Sequence, residues 1–109
     1  MQHLQSISEE LQRRLDDASN GVRIASCAAM CQAVGNMECQ AMEAALVGVS
    51  VHLDDDDEAV QEAVSSILMQ MAAREPKMVA TALPKACRQH RHQGQVQHIL
   101  QRIQEQAPR

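Results

Sequence analysis

Leu15-Asp16-Asp17-Ala18-Ser19-Asn20-Gly21-Val22-Arg23-Ile24-Ala25 aligns without a gap with Leu53-Asp54-Asp55-Asp56-Asp57-Glu58-Ala59-Val60-Gln61-Glu62-Ala63, an offset of 38 residues from Leu15 to Leu53. Val22/Val60 and Ala25/Ala63 keep that offset, and a fainter third copy follows at Val96-Gln97, 36 residues after Val60-Gln61. A repeat of this length is the mark of a solenoid, in which each unit buries its apolar face only against its neighbours. The pattern therefore points to a binding scaffold rather than to an active site.

Working outward from the duplicated stretch, six helical segments are expected, paired as three hairpins. The first carries Leu4, Ile7, Leu11 and Leu15 at helical spacing and stops at the turn formers Asp16 to Gly21. The second runs from about Asn20 to Val34, with Val22, Ala25, Ala29 and Ala33 on one face. Gly35-Asn36 is its expected stop, since both residues tolerate the left-handed conformation. The third, about Glu38 to Leu53, carries Cys39, Met42, Leu46, Val49 and Leu53, and Val47 and Val51 widen its apolar surface enough for two neighbours. The fourth, about Asp57 to Ala73, should bury Val60, Val64, Ile67, Leu68 and Met71. The fifth opens at Pro76, where proline is best tolerated, and runs through Met78, Val79, Ala82 and Leu83 to about His90. Pro84 should kink it by deleting a backbone hydrogen bond. The sixth follows His92-Gln93-Gly94 and carries Val96, Ile99, Leu100 and Ile103 before a frayed end at Ala107-Pro108-Arg109. No alternating run reads as a strand, so the fold class is all-α.

Composition fits this reading. The 109 residues contain no Phe, Tyr or Trp, so the core must be built from aliphatic residues, Met, Ala and Cys, which suits close helix packing. Missing aromatics remove the stacking platforms used by single-stranded nucleic acid. A net charge of −4 argues against phosphate-backbone binding as well. No apolar run approaches the roughly 18 residues of a membrane span, and the polar start does not read as a secretory leader. Four cysteines lie in helical patterns without a compact disulfide framework, so a reducing cytoplasm is expected.

Paired helices, a period near 38, and Leu-Asp-Asp before a Val-Arg or Val-Gln helix start resemble the HEAT family of α-solenoids. Leu15, Asp17, Val22, Arg23, Ala25 and Ala28 fit the first copy; Leu53, Asp55, Val60, Ala63 and Leu68 fit the second, with Gln61 in place of the usual arginine. Pro84 sits where the family often kinks a first helix, and the third copy lacks the aspartate. In physical terms, Asp17 and Asp55 could cap the second helix of each hairpin and favour its positive dipole end. Arg23 could then reach the aspartate of an adjacent repeat. A narrower resemblance, carried by Val51-His52-Leu53-Asp54-Asp55, Ala59 to Val64, His90-Arg91-His92 and Ile99 to Ile103, is to the C-terminal repeats of HEAT-type axonemal dynein assembly factors. It implies a cytoplasmic scaffold that helps to preassemble dynein arms for cilia, with dynein chains or chaperones as protein partners; tubulin is the partner in the alternative, cytoskeletal reading.

Few constellations invite chemistry. Asp54-Asp55-Asp56-Asp57-Glu58 fails as an EF-hand loop, because the places that need Gly and Glu hold Ala59 and Ser65; a solvated helix start is the simpler reading. Cys27 and Cys31 share a helix face and could join Cys39 or a histidine on zinc, yet no second ligand pair has the required spacing, so buried small hydrophobes are expected. Lys85, Arg88, His90, Arg91 and His92 form a basic patch that complements a helix C-terminus or meets an acidic partner such as a tubulin tail. No phosphate loop, nucleophile elbow or metalloprotease motif is present.

The expectation is one domain, 1–109, of three antiparallel hairpins (about 3–35, 38–73 and 76–106) stacked as a short right-handed HEAT-like solenoid. It would be the terminal part of a longer array. The chain would be a non-catalytic protein-interaction scaffold with no cofactor, metal, nucleic-acid, membrane or small-molecule site, for dynein-arm preassembly or, alternatively, for tubulin or other cytoskeletal binding.

Overall fold

The computed structural model describes residues 10, 13–14, 19–89 and 93–106. The segment expected to form the first helix, with Leu4, Ile7, Leu11 and Leu15, lies outside the described residues except for Glu10, Arg13 and Arg14, which are helical. Five further helices follow: α1 (Asn20–Val34), α2 (Cys39–Ser50), α3 (Glu58–Arg74), α4 (Pro76–Ala86) and α5 (Gln93–Gln106), with a 3-10 turn, Val51–Asp54, between α2 and α3. No strand occurs among the described residues. The fold is all-helical and compact, with a radius of gyration of 12.9 Å.

Helices α1, α3 and α5 lie side by side in one layer, and α2 and α4 form the other. α3 is central and touches all four of the others. Its position follows from its sequence, whose apolar residues at Val60, Val64, Ile67, Leu68 and Met71 are all fully buried, while Glu62, Ser66 and Gln70 face outward. The core joins both layers through Met30, Met42, Leu46, Leu53, Leu83 and Ile99, none more than 1% exposed. Without aromatics, this volume is filled by branched aliphatics and by methionines, whose flexible chains take up irregular gaps.

Local signals set the helix ends. Asp57, in extended conformation, starts α3 by accepting hydrogen bonds from the backbone N–H groups of Ala59 and Val60 at 2.8 and 3.4 Å. Pro76 opens α4, where its missing N–H costs nothing. Pro84 is accommodated inside α4 with its side chain exposed.

Several expectations need correction. The buried face of α1 is Ser26, Cys27, Met30 and Val34; Ala25 and Ala29 are exposed, and Val22 is 37% exposed. Small residues on both sides of a helix give no sharp direction; Met30 and Val34 turn inward with Cys27, while Val22 is exposed and Ile24 only partly buried. Gly35 does not use the left-handed region: its φ is −59°. The chain leaves α1 through right-handed turns, with Asn36 N–H donating to Ala33 O at 3.0 Å and Met37 N–H to Val34 O at 3.2 Å.

The third helix does not run evenly to Leu53; it tightens to 3-10 geometry after Ser50, whose buried hydroxyl donates to Val47 O at 3.1 Å. The run of aspartates beyond it, which favours turns over helix, takes the chain across to α3. The fifth helix ends at Ala86 rather than near His90: Cys87 leaves helical geometry, with φ −105° and ψ 16°, and its carbonyl accepts from the Gln93 side-chain amide at 2.7 Å. Val47 and Val51 are not covered by two neighbours and stand 54% and 55% exposed. Cys39, expected on the apolar stripe of α2, is exposed.

Leu68 belongs to the core on the central helix α3 and has no exposed surface. Leu68→Ala should reduce stability by about 2–5 kcal/mol, read as a lower urea midpoint by far-UV circular dichroism. A change within about 0.5 kcal/mol, typical of surface positions, would contradict this packing.

Candidate protein-interaction surface

α1 and α3 run parallel and are tied at both ends. At their N-termini, Asn20 Nδ2 donates to Asp57 Oδ2 at 2.6 Å. Arg23 Nε lies 3.3 Å from Asp55 Oδ2, with the two side chains only 17% and 14% exposed. Asp55 Oδ1 accepts from the Asp57 backbone N–H at 2.8 Å, and the Gln61 side-chain amide donates to Asp55 O. At the other end, Arg74 Nη1 donates to Val34 O at 2.6 Å and to Met37 O at 2.8 Å. Carboxylates thus sit where two positive dipole ends meet, and a guanidinium sits where two negative ends meet.

This changes the role assigned to Asp55. Asp57, not Asp55, caps α3; Asp55 orients Asp57 and pairs with Arg23. The duplicated stretch explains the geometry. Arg23 and Gln61 are 38-residue equivalents and both reach Asp55; Ser19 and Asp57 are equivalents and stand at the N-cap positions of α1 and α3. Asp17 lies outside the described residues. Sequence reasoning missed Asn20, Asp57 and Arg74. Asp57 carried a usable signal, an aspartate directly before the apolar pattern of α3; the Arg74 contacts, 40 and 37 residues away in sequence, carried none.

Of the basic patch, Lys85 and Arg88 are exposed around an open hollow at the end of α4, whereas His90, Arg91 and His92 lie outside the described residues. A larger groove of about 600 Å³ runs between α3 and α5. Ser65, Gln95, His98 and Arg102 line it around Met69 and Ile99, with the Ser65 hydroxyl 3.5 Å from Gln95 Oε1. It is an open trough of mixed polarity, suited to a polypeptide side chain more than to an enclosed small molecule.

Cys27 and Cys87 are buried and Cys31 is half-buried. Burial pushes the Cys27 thiol up to about 11, with Cys31 and Asp55 adding to the effect; Cys31 is raised by burial as well. Among the described residues no three His, Cys, Asp or Glu side chains gather into a metal-holding group, and no helix is long and apolar enough to cross a membrane.

Two measurements test the seam. A double-mutant cycle with Arg23→Met and Asp55→Asn should give a coupling of about 0.5–3 kcal/mol, the range for residues in contact; additive losses would deny the pair. The second concerns pH. The Asn20 amide, with the backbone N–H of Ala59 and then of Val60, holds the Asp57 carboxyl below its usual value. A depressed folded pKa contributes stability that is complete above the unfolded value near 3.8 and is lost as pH falls through the folded value. Acid titration should therefore destabilise the protein below about pH 4 less steeply in Asp57→Asn than in the wild type; superimposable acid limbs would contradict it.

No protein-family model and no solved structure matches the chain. It is similar to Dynein axonemal assembly factor 5 of Homo sapiens, with 28% identity over 106 residues, covering 90% of this chain. The chain spans 12% of the length of that relative.

Proposed function

We propose that this chain is a HEAT-like α-solenoid unit that acts, without catalysis, as a protein-interaction scaffold in the preassembly of axonemal dynein arms in the cytoplasm. The observation that carries this reading is the similarity to Dynein axonemal assembly factor 5, which extends over 106 residues rather than over one local motif. The parallel α1–α3–α5 layer backed by α2 and α4 supports it, because repeated hairpins with a 38-residue offset stack in this manner. In this reading the hairpins occupy about 3–35, 38–73 and 76–106, and the chain forms part of a longer array. The partners are dynein chains and the chaperones that fold them. The α3–α5 groove supplies contact surface that is already formed.

A second reading, binding to the acidic tails of tubulin, is favoured by exposed Lys85 and Arg88 at the end of α4. One set of experiments separates the two. Ciliated cells lacking the protein should build axonemes without dynein arms in cross-section, and the purified chain should bind recombinant dynein segments equally well with Arg88→Glu and Arg91→Glu. Axonemes with a full set of arms would overturn the assembly reading. Microtubule co-sedimentation abolished by the same two substitutions would establish the tubulin reading in its place.

A further inference from the structure

The Asn20-Gly21 step stands at the first turn of α1, directly on the seam with α3. Asparagine followed by glycine is the dipeptide in which backbone attack on the side-chain amide is least hindered, because the attacking nitrogen belongs to a residue without a Cβ. Gly21 N–H is one of the first-turn amides that lack an acceptor within the helix. Asn20 is exposed to water, and its Nδ2 is the donor that holds Asp57 Oδ2 at 2.6 Å. The same Asp57 carboxylate caps α3 through Ala59 and Val60.

We propose that Asn20 is a deamidation site built into the α1–α3 seam, where loss of one amide turns the tie between the helices into a repulsion. The Gly21 nitrogen attacks Asn20 Cγ; a new N–Cγ bond forms, the Cγ–Nδ2 bond breaks, and ammonia leaves with the proton from Gly21. Water then opens the cyclic imide. Cleavage of the new bond gives aspartate, and cleavage of the original peptide bond gives isoaspartate, which lengthens the backbone by one methylene. Either product places a carboxylate where a donor stood, facing Asp57, with Asp55 two residues away. The result is not confined to one lost hydrogen bond, because Asp57 then serves the α3 cap beside a like charge. The added charge also lies at the positive end of α1, whose first turn has no acidic residue, so its attraction to the dipole offsets part of the repulsion.

The structure supplies clean controls. A Cβ at Gly21 would meet only Ser19 Oγ at 3.6 Å, an ordinary contact, and no described residue has a positive φ. Gly21→Ala therefore slows the chemistry without disturbing the fold. Full-length protein is incubated at mildly alkaline pH and body temperature and mapped by peptide mass spectrometry, with isoaspartate resolved by chromatography.

Aspartate and isoaspartate should accumulate at position 20 in the wild type and not in Gly21→Ala. An intact Asn20 after the time in which the denatured chain converts would overturn the site. For the coupling, Asn20→Asp should lower Tm by about 4–8 °C relative to neutral Asn20→Ser, and adding Asp57→Asn, itself a good helix cap, should recover most of that loss. Equal melting of Asn20→Asp and Asn20→Ser would overturn the coupling.

Discussion

Two parallel helices placed side by side bring like dipole ends together, and the α1–α3 pair must neutralise both. Asp55 and Asp57 act at the amino ends, and Arg74 at the carboxyl ends. The rest of the architecture hangs on this arrangement. With α1 and α3 held parallel, the chain between them must return in the opposite direction, which is the work of α2 and the 3-10 turn. The same condition applied to α3 and α5 places α4 in the second layer beside α2. The alternation of layers is thus the geometric result of keeping neighbours parallel with short connections.

The near-burial of the Arg23–Asp55 pair matters more than its count as one ion pair. Exposed pairs contribute about 0–1 kcal/mol, but removal of one partner from a desolvated pair leaves a charge with no compensation. The Asp55 carboxylate also accepts from the Asp57 backbone N–H, and its main-chain oxygen accepts from the Gln61 side chain, so both parts of the residue are held in place beside Arg23. Three residues of the acidic run therefore do different things. Asp55 joins two helices, Asp57 caps one, and Glu58 lies in the first turn of α3, where its charge suits the dipole.

Much of this fold was legible because the apolar spacing is regular. The reading of α1 as Asn20 to Val34 coincides with the observed helix, and every residue named for the buried face of α3 is buried. What was not legible had specific causes. α1 is rich in alanine, so its small residues do not mark the inward side, that of Cys27, Met30 and Val34. The Arg74 clamp joins segments about 40 residues apart, a distance over which periodicity carries no information. The roles of Asp55 and Asp57 depend on which aspartate of four adopts the extended backbone at the helix start, and four identical letters cannot rank themselves. For the surface, Lys85 and Arg88 were readable as exposed cations, but the α3–α5 groove depends on helix stacking and left no local mark.

A core that uses methionine in place of aromatics has a chemical memory. Met30, Met37, Met42 and Met71 are at most 2% exposed, so oxidants in solution reach their sulfurs only when the helices part. Oxidation there converts an apolar, flexible side chain into a polar sulfoxide, which cannot return to a dry interior without a hydrogen-bond partner. Each opening under oxidising conditions can therefore leave a trace that opposes closure until the sulfoxide is reduced. In such a core, resistance to oxidation and resistance to unfolding are the same property, because the closed packing is what shields the sulfurs.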